Sequence, residues 1–167
     1  MPADAGQYRT LRLECLRRYP ESFGAYYEEQ KDLPQLAFER FILEEHPERV
    51  MLGAFSGDVL VGISGFVREE GAKLRHRVKV IQVYVQPEQQ GRGIGKGIMQ
   101  ATLQAAFALD GVDQVELGVL AENVGAARVY EKLGFEAFGI QPNYLKHEGK
   151  GLDMRMMYIS RRRFEGK

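Results

Sequence analysis

Gln86-Pro87-Glu88-Gln89-Gln90-Gly91-Arg92-Gly93-Ile94-Gly95-Lys96-Gly97 is the stretch on which the fold turns. It joins an apolar run, 78–85, to a helical pattern, 93–109, in which Ile94, Ile98, Ala101 and Ala105 share one side. Four glycines at alternate positions are costly there, roughly 1 kcal/mol each inside a helix. Such a cost suggests a backbone that must approach something closely. Bare N–H groups at a helix start, with Arg92 and Lys96 beside them, form a site for phosphate. A purely structural turn would need only one or two glycines.

The type of phosphate ligand follows by elimination. A Walker A loop needs Gly, four residues, then Gly-Lys-Ser/Thr; here Gly97 follows Lys96 and position 90 is Gln. A dinucleotide fingerprint fails in both registers, since the sixth position is Lys96 or Ile98.

Upstream of the loop, the run 78–85 changes phase. Val78 and Val80 alternate, but Ile81, Val83 and Val85 continue on the other beat. Either a β-bulge interrupts this strand, or it is buried on both faces and need not alternate. Earlier still, residues 7–18 read as a helix ended by Pro20, 21–34 as a loop, and 36–45 as a helix before Pro47. The runs 50–55 and 59–67, separated by Ser56-Gly57-Asp58, read as a hairpin. Downstream come a strand at 115–120, a helix at 124–133 closed by Gly134, and strands near 136–140 and 152–160. This order predicts one domain over 1–167, with a mixed α/β sheet flanked by helices.

Bulk properties narrow the partners. The chain has 167 residues, the size of one ordinary domain; 44% are hydrophobic and 28% charged, as in folded proteins. Basic and acidic side chains number 23 each, so no net field draws nucleic acid or an anionic membrane. The short basic runs, 75–79 and 161–163, read as solvated surface. No transmembrane-length run or signal-peptide layout is present, and the single cysteine allows no internal disulfide; a cytoplasmic setting is expected. Cys15 shares helical spacing with Tyr8, Leu11 and Tyr19 and reads as a small buried hydrophobe.

The pattern that does fit the loop is Gln-x-x-Gly-x-Gly, as Gln90, Gly93 and Gly95. With 83–87 before it and a helix after it, this resembles the coenzyme A loop of the GNAT superfamily of N-acetyltransferases. A second resemblance follows in order: strand 115–119, then Asn123, Ala126-Ala127, Tyr130 and Gly134-Phe135. Together they cover about residues 50–140.

The resemblance implies a mostly antiparallel central sheet with a splayed strand pair, and acetyl-coenzyme A as cosubstrate. Backbone N–H groups of Gly91, Arg92, Gly93, Gly95 and Lys96 would hold the pyrophosphate. Amides near Val83 and Val85 would pair with the pantetheine arm. Asn123 would bond that arm or cap its helix, and Tyr130 would protonate the departing thiolate. No metal is implied. The acceptor is an amine of a small molecule or a protein N-terminus; a homodimer stays open. Lys79 occupies a position where some relatives have a catalytic glutamate, so the base is unassigned; Glu69, Glu88, Glu116 and His147 qualify by residue type alone. His46 and His76 read as exposed or capping groups.

The acceptor side is expected from the loop after the first helix, with Tyr19, Phe23, Tyr26, Tyr27, Glu28, Glu29 and Asp32, and from 142–149 with Asp153 and Met157. Only six residues precede the first helix, so the strand with which the family commonly opens is short, missing or upstream of this sequence. The competing reading is a non-catalytic acyl-coenzyme A-binding module.

Overall fold

The computed structural model describes residues 1–166. The hairpin is formed by β1 (Arg49–Ser56) and β2 (Val59–Arg68), and β3 (Arg77–Val85) continues the antiparallel meander. Strand β4 (Gln114–Leu120) joins β3 in parallel. Beyond it β6 (Lys150–Ser160) and β5 (Glu136–His147) add antiparallel, giving the order β1-β2-β3-β4-β6-β5. Helices α1 (Ala5–Arg18), α2 (Tyr27–Gln30) and α3 (Ala37–Leu43) precede the sheet; α4 (Ile94–Phe107) and α5 (Val124–Lys132) are its crossovers, and α6 (Arg161–Glu165) follows β6.

Each sheet face has its own core. Met99, Leu103 and Ala106 of α4 pack with Phe66, Val80 and Val115, and Tyr130 of α5 belongs to the same cluster. On the opposite face Tyr8, Leu11, Cys15 and Leu16 of α1 pack with Ile63 and Tyr84. Full burial of each large aliphatic side chain contributes about 1.5–3 kcal/mol, so both layers pin the sheet. Within the first layer, Thr102 donates to the buried Ser64 hydroxyl at 2.9 Å, tying α4 to β2 without leaving a stranded polar group.

The phase change in β3 is a bulge. Gly65 lies opposite Ile81 and Ile63 opposite Tyr84, so Ser64 faces two residues, Gln82 and Val83. Gln82 takes a left-handed φ of 54°, an uncommon conformation for a residue with a side chain. Past the bulge, Val83 joins the core on the α4 face, while Tyr84 joins that of α1. Pairing of β3 with β4 is confined to Arg77–Gln114, Val78–Val115 and Lys79–Glu116; beyond these the strands part.

Several expectations are corrected. Strand β5 continues to His147 through Pro142, which is tolerated because β5 is an edge strand paired only with β6. The loop 21–34 contains the turn of helix α2. Of the run 161–163, Arg162 and Arg163 are exposed as expected, but Arg161 donates to the carbonyls of Val112 at 2.8 Å and Phe107 at 2.7 Å, capping the end of α4. Of the run 75–79, Val78 is buried and Arg77 pairs with Glu116. No strand precedes α1 among the described residues; residues 2–4 form one 3-10 turn.

Candidate active site

The separation of β3 from β4 opens a cavity of about 150 Å³ through the plane of the sheet. Val80, Val83, Val119, Ala126 and Tyr130 line it on the α4–α5 side, and Ser22, Phe23, Ile81, Gln82 and Met154 line it toward α1. A side chain at position 118 would crowd this wall, since a Cβ there would meet Met154 Cγ at 2.9 Å. Among the described residues, no carboxylate and no imidazole lines the cavity.

Tyr130 is 8% exposed, with its ring edge-on to Phe135. Burial pushes its phenol up to about 12, so the group stays protonated at neutral pH. No described residue forms a hydrogen bond with its hydroxyl. Asn123 serves two purposes at once: its Oδ1 accepts from the Ala126 N–H at 3.0 Å, capping α5, and the residue lines the cavity.

The glycine loop lies at the end of β3. Gly91 and Gly93 take φ of 75° and 81°, conformations open to glycine at no steric cost. The intrahelical ladder of α4 begins with Gly97 N–H donating to Gly93 O, leaving the N–H groups of Ile94, Gly95 and Lys96 outside it. A Cβ added at Gly91, Gly93 or Gly97 would meet nothing within 4 Å, so the loop presents bare backbone to open space. Arg92 and Lys96 are exposed beside it, and neither forms an ion pair among the described residues. Gln90 is exposed, but its Nε2 donates to Val85 O at 3.1 Å, which ties the loop to the strand. The cradle therefore fits a pyrophosphate in charge and clearance.

The structure thus gathers Val83, Asn123 and Tyr130 around one cavity. It groups Val85, Gln90, Gly91, Arg92, Gly93, Gly95 and Lys96 at the adjoining loop. None of the candidate bases reaches the cavity lining. Glu116 accepts from Arg77 Nε and Nη2, both at 2.6 Å, and that guanidinium holds its carboxyl below the usual range. Glu69 borders the β2–β3 turn, Glu88 binds Arg18 at 3.1 Å, and His147 stacks on Tyr26 at the β5–β6 hairpin end. His46 accepts the Glu48 N–H through Nδ1, and His76 is exposed. Of the aromatic and acidic residues expected on the acceptor side, only Phe23 lines the cavity; Glu28 pairs with Lys31, and Glu29 caps the Tyr26 N–H. Met154 lines the cavity instead of Met157, which is wholly buried.

The sequence reading missed Ser22, Gln82, Gly118 and Met154 in the lining. Gln82 had a signal: it sits at the phase change of the run 78–85, where a bulge re-aims a side chain.

Residues 10–135 match the model of the acetyltransferase (GNAT) family. The N-alpha-acetyltransferase RimI of Mycobacterium tuberculosis is 35% identical over 116 residues, covering 70% of this chain and 69% of that one. Among solved structures, an acetyltransferase of the GNAT family from Streptococcus pneumoniae superposes with a TM-score of 0.81 at 20% identity, covering 96% of this chain and 95% of that one. Another, yncA from Salmonella typhimurium, was solved with its cofactor acetyl-CoA; it gives 0.78 at 19% identity, covering 96% and 90%. The chain belongs to the acetyltransferase (GNAT) family.

Proposed function

We propose that the protein transfers an acetyl group from acetyl-coenzyme A to a primary amine by direct attack, with Tyr130 as the acid. The observation that carries this reading is a protonated, buried phenol standing in a cavity between parted strands, next to a bare-backbone phosphate cradle. Gly91, Arg92, Gly93, Gly95 and Lys96 hold the pyrophosphate, and Gln90 supports their loop from behind. Val83 and Val85 offer backbone groups to the pantetheine arm along the edge of β3 that β4 leaves unpaired. Asn123, its Oδ1 committed to the cap, turns its amide donor to the same arm.

In the reaction the amine nitrogen bonds to the acetyl carbon and the carbonyl becomes an oxyanion, stabilised by N–H donors of the parted strands. The carbon–sulfur bond then breaks, and Tyr130 gives its proton to the sulfur. With no carboxylate or imidazole in the lining among the described residues, the amine loses its proton to water. Cys15 takes no part, being wholly buried in the α1 core. The acceptor class is a small-molecule amine or a protein N-terminus, and the setting we favour is cytoplasmic. Nothing in the cavity favours a non-catalytic acyl-coenzyme A module, since the slot is open and Tyr130 stands in it.

Calorimetric titration with acetyl-coenzyme A, with ATP and NADH as controls, followed by thiol release against an amine panel, tests the reading. Selective binding and amine-dependent thiol release support it. Failure of a folded sample to bind the thioester removes it.

A further inference from the structure

We infer that Gln82 selects the acceptor by donating a hydrogen bond to a neutral carbonyl beside its amine, as in an amino-acid amide or a chain N-terminus; this rests on the acetyl-transfer reading above. Gln82 lines the cavity on its α1 side and is held in two ways. Its backbone sits at the bulge of β3 with φ of 54°, a costly conformation for a long side chain. Such outliers persist where the surrounding structure holds them, and they gather at binding sites. Its amide is fixed by Tyr8, 2% exposed, whose hydroxyl donates to Oε1 at 2.9 Å. No other described residue accepts that phenol proton, so the amide points one way, with Oε1 toward Tyr8 and Nε2 left to donate. Among the described residues the only buried side-chain nitrogen or oxygen without a partner is His147 Nδ1. Gln82 Nε2 donates to no described residue and is not such an atom, so it reaches accessible space.

The rest of the lining decides what that donor suits. Among the described residues, no charged side chain of either sign lines the cavity. A second ammonium, as in a polyamine, or a carboxylate, as in a free amino acid, would lose its water there without a counter-charge. A neutral carbonyl oxygen needs only a donor. On the α1 side that donor is Gln82: the side chains of Phe23, Ile81 and Met154 have none to offer, and the Ser22 hydroxyl donates at 3.3 Å to Glu21, which lies outside the lining. Asn123 and Tyr130 stand on the α5 side, with the thioester.

The test measures thiol release with glycinamide, its carbonyl-free isostere isobutylamine, and ethylenediamine, each rate referred to the neutral amine. The wild type should favour glycinamide over isobutylamine by on the order of 10-fold in kcat/KM, as one neutral hydrogen bond provides, with ethylenediamine slowest. A glycine-led tetrapeptide amide, set beside glycinamide, separates a chain N-terminus from a free amide as the source of the carbonyl; either one ahead of isobutylamine supports the inference. In Gln82→Met, which keeps the length of the side chain without its amide, the preference should fall toward unity through a higher KM for the carbonyl acceptors. Gln82→Glu keeps an acceptor for Tyr8 but replaces the donor with an anion, so it should reverse the order and favour ethylenediamine; loss of a merely structural residue would not invert a preference. Isobutylamine turned over by the wild type as fast as both carbonyl acceptors, a Gln82→Met variant that keeps the preference, or a Gln82→Glu variant that keeps the wild-type order would overturn the inference while leaving acetyl transfer intact. No turnover of any amine by a sample that folds would overturn both. Should Gln82→Met fail to fold, Gln82→Glu, which retains the bond to Tyr8, decides in its place.

Discussion

A departing coenzyme A thiolate and the phenol of Tyr130 share one desolvated slot in the proposed mechanism. Burial weakens the phenol as an acid, but it also raises the proton affinity of the sulfur anion, which needs solvation as much. The hydroxyl is thus useful where the charge develops and idle where the pyrophosphate binds. Tyr130→Phe should lower kcat about 100-fold with unchanged acetyl-coenzyme A affinity; stopped-assay rates and calorimetry together check this. The pH profile follows from the same lining. With no carboxylate or imidazole among the described residues of the lining, kcat/KM should climb with unit slope toward the acceptor's own pKa, about 10 for an alkylamine. Tyr130 loses its proton only near 12, so no descending limb should fall below pH 10. An inflection between pH 4 and 7 would reveal a side chain that collects the amine proton.

The parallel contact of β3 with β4 is three residues long, and the Arg77–Glu116 pair clamps its end. Hydrogen bonding from Arg77 depresses the folded carboxyl of Glu116. Its contribution is therefore complete above the unfolded value near 4.3, and disappears as pH falls through the lower folded value. Glu116→Gln should cost about 1–2 kcal/mol at pH 7, a figure discounted for the partial exposure of Arg77, and should nearly match the wild type at strongly acidic pH. Urea melts at both ends of that range measure it. At this scale the sequence was legible where periodicity or glycine spoke locally: the hairpin, α4, the cap at Gly134 (φ 97°) and the glycine turn before α4. The phase slip from Val80 to Val83 also registered, although only pairing with β2 separated a bulge from two-sided burial. The continuation of β5 past Pro142 was hidden because it depends on β6 rather than on local alternation. Ser22, Gln82 and Met154 come together from three distant segments, and spacing along the chain cannot bring such residues together.

Taken as a whole, the sheet is two blocks, β1-β2-β3 and β4-β6-β5, joined at one end and open at the other. A ligand lying between them contacts both. Acetyl-coenzyme A should therefore slow amide hydrogen exchange at 80–85 and 117–120 together, leaving β1 and β5 unchanged; protection on one block alone would place the arm elsewhere. The gap also has walls on both sides of the sheet, with α5 at one and the loop carrying Phe23 at the other. In the proposed reaction donor and acceptor would then come in through different doors and meet in the middle, neither waiting for the other to leave. Among the described residues no cysteine lines the passage, and Ser22 has no imidazole or carboxylate beside it in the lining to activate it, so in the proposed direct transfer both must be present at once. Initial-rate plots with both substrates varied should accordingly intersect instead of running parallel, and each product should leave by the side on which its parent arrived.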